Sequence, residues 1–181
     1  LGAAAAAYAG LPSSHALAQG QPRRGGVFRI SASANPSSLD PARGVSGYDH
    51  VILYPMFDSL IEWDYETLEA RPGLAKAWRF ADTTTLVLDL QDGVKFHDGT
   101  NFDANAVKAN FDRAMTDKRA TITSDFVSVD SVSVTGPLQV TIKLKYPDTA
   151  LLLVLSDRPG MMVSPKSIEE FGDNTGRNPV G

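Results

Sequence analysis

Two histidines sit beside aspartates, as Asp49-His50 and His97-Asp98, and imidazole next to carboxylate is the pairing that can move a proton or hold a metal. The third histidine, His15, lies in an apolar N-terminal run and is set aside with it. Two histidines cannot complete a three-histidine zinc site, and a mixed site with Asp49 or Asp98 stays open. The run His97-Asp98-Gly99-Thr100 also reads as a tight turn, with Asp98 bonding nearby backbone and Gly99 taking positive φ. A hydrolase built on His97 and Asp98 would need a nucleophile in reach of a base. The sequence holds no Gly-x-Ser-x-Gly elbow, phosphate-binding Gly-rich loop or His-Glu-x-x-His helix. Cysteine is absent, which removes a thiol nucleophile, thiolate metal sites and disulfides. The residues thus predict no catalytic centre, metal or cofactor, and no enzyme.

The elements that position these residues follow from periodicity. Val27-Phe28-Arg29-Ile30 reads as a first strand, and Asn35-Pro36 and Asp40-Pro41 mark a loop. From Tyr48 to Ile61 apolar residues recur at helical spacing, Tyr54 falls on the core side, and Pro55 should kink or divide the helix. Leu86, Leu88 and Leu90 share one face of a strand over 84–90, and Gln91-Asp92-Gly93 turns the chain. Asp103 suits the N-cap of a helix to about Asp117, with Ala104, Val107, Phe111, Ala114 and Met115 facing inward. Val127 to Val134 and the alternating Leu138 to Lys145 make a hairpin with one wet face. A short apolar helix over 149–156 and a buried strand Met161-Met162-Val163 follow, then a helix capped by Ser164 with Pro165 at its first position, running through Phe171. Trp78, Phe96 and Phe111 read as core. The order predicts a mixed α+β chain with an antiparallel hairpin.

Composition narrows the partners. The 181 residues are 43% hydrophobic and 21% charged, an ordinary globular profile, and the net charge of −4 offers no footprint for nucleic acid. Leu1 to Ala18 carries no charged side chain and ends in Ala16-Leu17-Ala18, the pattern of a secretory leader cleaved before Gln19. The expected organisation is a leader remnant at 1–18, a polar lead-in at 19–26 and the N-terminal part of a longer domain from 27 to 181, with the chain cut short at both ends. A periplasmic location follows from the leader.

The stretch Arg71 to Ala114 carries Pro72-Gly73-Leu74-Ala75, Ala77-Trp78, Leu90 and Gly93 of a Leu-x-x-Gly turn, Val94-Lys95-Phe96-His97-Asp98-Gly99 and Phe102-Asp103-Ala104. With Gly25-Gly26, Leu39-Asp40-Pro41 and Asn178-Pro179-Val180-Gly181, it resembles the family 5 extracellular solute-binding proteins of ABC importers. Gln91-Asp92 departs from that pattern, which usually has Arg or Lys there. The resemblance implies a periplasmic-binding-protein type II fold, of which this chain supplies the first lobe and its adjoining subdomain. It further implies a monomer that captures a peptide-like solute by two-lobe closure and delivers it to a membrane permease. Nickel-chelate or haem carriage are alternatives within the family. Matching the nickel-chelate members places ligand contacts at Tyr48, Asp49 and His50, at Arg119 and at Arg158-Pro159, with Met161 or Met162 lining an adaptable cleft. Arg158 has a competing reading as a surface arginine pairing with Asp157 or Asp148, and Arg119 as a solvated helix end.

Overall fold

The clean alternation in 138–145 becomes the centre of a sheet. In the computed structural model, which describes residues 25–27, 29 and 31–181, the folded unit runs from Ser33 to Gly181. Four antiparallel strands, β3 (Ala75–Asp82), β4 (Thr85–Leu90), β5 (Val129–Gly136) and β6 (Gln139–Leu144), lie in the order β3-β4-β6-β5. Leu86, Leu88, Val140 and Ile142 are buried on one face, while Thr141 and Lys143 stand on the other. β1 (Ile61–Asp64) and β2 (Glu69–Pro72) form a separate hairpin.

The inner face of the large sheet packs against α2 (Ala104–Thr116). Asp103 caps that helix through a bond from Ala106 N–H at 2.9 Å, and Val107, Phe111 and Ala114 are buried as the spacing predicts. Phe111 lies tilted on Phe126, with centroids 5.0 Å apart. Phe96 is likewise core, and Trp78 is half-buried against it. α3 (Leu151–Val154) and α4 (Pro165–Phe171, capped by Ser164) sit where the sequence places them.

Three expectations need correction. The helix expected over 48–61 is α1 (Gly47–Leu53) only, since after Tyr54 the chain meets Pro55, whose ring and missing N–H stop the ladder. Leu60 and Ile61 are buried at the start of β1, and Tyr54 is 43% exposed instead of core. The strand expected at Met161-Met162-Val163 is a single bridge from Met161 to Ser59. The expected first strand falls partly outside the described residues: Val27 and Arg29 are exposed without regular structure, and Phe28 and Ile30 are not among those described. The leader segment also lies outside them.

Candidate ligand-binding surface

α1 begins with a capping box in which Ser46 accepts from Tyr48 N–H, and Asp49 Oδ2 reaches back to Ser46 N–H at 2.9 Å. Asp49 is fully buried and also accepts from Ser37 N–H and Ser37 Oγ, both at 2.6 Å. Burial alone would raise its carboxyl pKa, but the bonds from Ser37 and Ser46 outweigh that and hold it below the ordinary 3.8. Asp49 therefore fastens the loop before α1. That places Tyr48, 51% exposed, and His50 on a helix of fixed orientation.

Asp157 ties the helix to the 3-10 turn Arg158–Gly160. Its Oδ1 accepts from Tyr54 Oη at 3.2 Å and Arg158 N–H at 2.7 Å, and lies 3.1 Å from His50 Nδ1. Burial, then the Asp157 charge, push the Tyr54 phenol above its usual pKa of 10. The Arg158 guanidinium goes to neither Asp157 nor Asp148; its Nη1 donates to Gly44 C=O, which also accepts from Thr121 Oγ1 at 2.6 Å. A Cβ on Gly44 would stand 2.7 Å from Asp49 Oδ2 and 3.1 Å from Arg158 Nη1, so this convergence requires glycine. Asp125 lies within the field of the cluster: burial raises its carboxyl pKa, Arg158 lowers it and Asp157 raises it, with a net rise.

The structure thus sets the Asp157–Arg158 turn against α1, with Asp157 at His50 and Tyr54 and the Arg158 guanidinium at Gly44 near Asp49; Tyr48 lies on the same helix. Arg119 belongs to a different network. It pairs with Asp117 at 3.3 Å and with Asp173. Asp117 also binds Arg43 at 2.6 Å, and fully buried Asp40 holds Arg113 through both carboxylate oxygens. Burial raises the Asp117 pKa, but the Arg119 N–H and the Arg43 guanidinium bring it down to about 2. Met161 is 2% exposed in an apolar cluster with Leu53, Phe57 and Val163, and Met162 enters the main core. Both thioethers thus face the interior of this unit.

The His97 turn is structural. Gly99 has φ +80°, Asp98 accepts from Thr100 N–H at 2.9 Å and Ser164 Oγ at 2.6 Å, and His97 exchanges bonds with Gly181, donating N–H at 2.7 Å and accepting at Nδ1 at 3.2 Å. Among the described residues no group of three His, Cys, Asp or Glu is placed to hold a metal. Sequence reasoning missed Asp157 and Gly44. Asp157 precedes Arg158 in the chain, but its contacts with His50 and Tyr54 are set by folding.

Comparison with known proteins supplies the class. Residues 69–181 match the model of the bacterial extracellular solute-binding proteins, family 5. The glutathione-binding protein GsiB of Salmonella paratyphi A is 30% identical over 154 residues, covering 84% of this chain and 30% of its own. NikZ from Campylobacter jejuni, solved with Ni(L-His), is 30% identical with a TM-score of 0.70 over 82% of this chain and 30% of its own. MoaA from Agrobacterium tumefaciens, solved with mannopinic acid, has a TM-score of 0.74 at 25% identity, over 80% of this chain and 31% of its own. The chain therefore spans about 30% of the length of these relatives, which are binding proteins rather than enzymes. Their fold is the mixed α/β fold of periplasmic binding proteins, of which this chain is a part. This chain belongs to family 5 of the bacterial extracellular solute-binding proteins.

Proposed function

We propose that the chain is the solute-capturing component of an ABC importer, exported to the periplasm on the leader at 1–18 and working there as a monomer that hands its ligand to a membrane permease. The ligand is a small carboxylate-bearing solute of the peptide or glutathione type, enclosed when a second lobe closes over this one. The observation that carries the reading is the convergence of α1 with the Arg158 turn, inside a chain of this family. Arg158 spends Nη1 on Gly44 C=O and keeps its remaining guanidinium N–H groups, without partners among the described residues, for a carboxylate, while Tyr48 offers an exposed ring on α1. Asp49 acts through the loop it fastens, Arg119 from the helix end and Met161 as an apolar wall under α1. Nickel-chelate capture is the second reading, favoured by the likeness to NikZ and by His50, which lies against Asp157, the residue before Arg158.

Titration calorimetry of the protein and its Arg158→Ala variant with glutathione, a tetrapeptide and nickel–histidine chelate tests this. Loss of a charge-assisted pair should weaken binding about 10- to 100-fold. Unchanged affinity in the variant removes Arg158 from the site. Absence of saturable binding for every probe rejects the ligand classes named.

A further inference from the structure

Beyond Tyr54 the surface folds into an open recess of roughly 630 Å³, mouth included, between the end of α1 and β1. Tyr54, Trp63 and Tyr65 contribute aromatic rings to it, Asp58 and Glu62 carboxylates, and Phe57 part of its floor. No lysine or arginine is among the residues that line it. Arg71 stands opposite Glu62 in the β1–β2 register, yet its guanidinium goes to Asp64. The side chains of Asp58 and Glu62 have no ion-pair or hydrogen-bond partner among the described residues. His50, the nearest potential cation on α1, is spent on Asp157, which adds its own charge behind the Tyr54 hydroxyl.

Aromatic faces present negative charge to a cation within about 6 Å, tryptophan most strongly, and unpaired carboxylates reinforce that field. An anion is repelled here, and a neutral solute gains only apolar burial. We propose that this recess binds a small organic cation of the alkylammonium class. It is separate from the Arg158 surface in chemistry, since one wall set suits a carboxylate and the other an ammonium.

Choline is the probe. The chain has two tryptophans, so the Trp63 indole N–H can be followed by NMR in the unsubstituted protein and assigned with Trp63→Phe. A saturable shift of that signal is expected with choline, and binding about fivefold or more weaker with 3,3-dimethylbutan-1-ol, the uncharged carbon isostere. Asp58→Asn with Glu62→Gln, both at exposed positions where the change buries no polar group, should weaken choline by at least about fivefold. Equal binding of choline and its isostere, no saturable shift at tens of millimolar, or an unaffected double variant would overturn the proposal. Phosphatidylcholine vesicles separate the two sources of the cation: cosedimentation assigns a lipid headgroup, and its absence beside choline binding assigns a free solute. Arg158→Ala should leave choline untouched, so this site and the carboxylate site fail independently.

Discussion

Asn110 lies on the inner face of α2, 9% exposed, and bonds across to the chain beside Met162. Its Oδ1 accepts from Val163 N–H at 3.0 Å and its Nδ2 donates to Val163 C=O at 2.8 Å and to Ala106 C=O at 2.9 Å. The side-chain amide thus acts toward Val163 as a neighbouring strand would, satisfying both backbone groups of a residue that is 2% exposed. Asn110→Ala strands a buried donor and a buried acceptor, each costing about 1–3 kcal/mol, so a loss of about 2–6 kcal/mol is expected. For a chain of this size that lowers Tm by about 4–24 °C. Asn110→Asp keeps an acceptor for Val163 N–H but turns a carboxylate toward two carbonyls, which should raise its pKa in the folded state. A raised folded pKa means the variant is most stable in acid, where the acid O–H can donate to Val163 C=O, and loses stability as pH rises. Urea melts at about pH 4 and pH 7 read both effects. The reasoning is refuted if the alanine costs less than about 1 kcal/mol, or if the aspartate variant gains nothing in acid relative to the parent.

Phe111→Ala removes a fully buried ring from between α2 and Phe126 and should cost about 3–5 kcal/mol in a urea melt, whereas Val127→Ala, at a 61% exposed site, should stay within about 0.5 kcal/mol. Gly160→Ala would put a Cβ 1.8 Å from Leu155 C=O, a backbone atom that cannot swing aside, so circular dichroism should show this variant largely unfolded. Gly93→Ala meets open space and is strained only by its φ of +73°, so a cost of about 1 kcal/mol is expected there. Asp117 has a folded pKa of about 2 against 3.8 ordinarily, so its stabilising contribution is present above that ordinary value and disappears as pH falls toward 2. Asp117→Asn should flatten the acid limb of a stability–pH curve, and an unchanged limb would contradict the pairing with Arg43 and Arg119.

The elements legible in the sequence are those with a strong period or a cap. β6 alternates without interruption, while α2 and α4 open on Asp103 and Ser164, which bond the backbone as side chains of that type do. β3 escaped notice because Lys76, Ala77, Arg79 and Ala81 are exposed, leaving little apolar pattern; it is a strand because β4 pairs its backbone. α1 was overextended because Phe57, Leu60 and Ile61 keep helical spacing by chance, yet the chain past Pro55 distributes them between two apolar clusters. At the site, family resemblance flagged His50 and Arg158 as a pair of segments. What it could not convey is the meeting of partners 103 positions apart at Asp157 and 114 apart at Gly44, since no local pattern records a contact of that range.

The strand order β3-β4-β6-β5 also sets how the chain can assemble in time. β3–β4 and β5–β6 are hairpins that close locally, but β4–β6 pairing joins residues such as Thr85 and Lys143, 58 positions apart, with α2 in the interval. Closing that span costs about 2 kcal/mol more chain entropy than a five-residue turn. The β4–β6 seam, with α2 laid against it, is therefore expected to be the slow closure, and substitutions at Leu88, Val140 or Phe111 should slow folding. Changes on the outer strand β3 should instead appear mainly as faster unfolding.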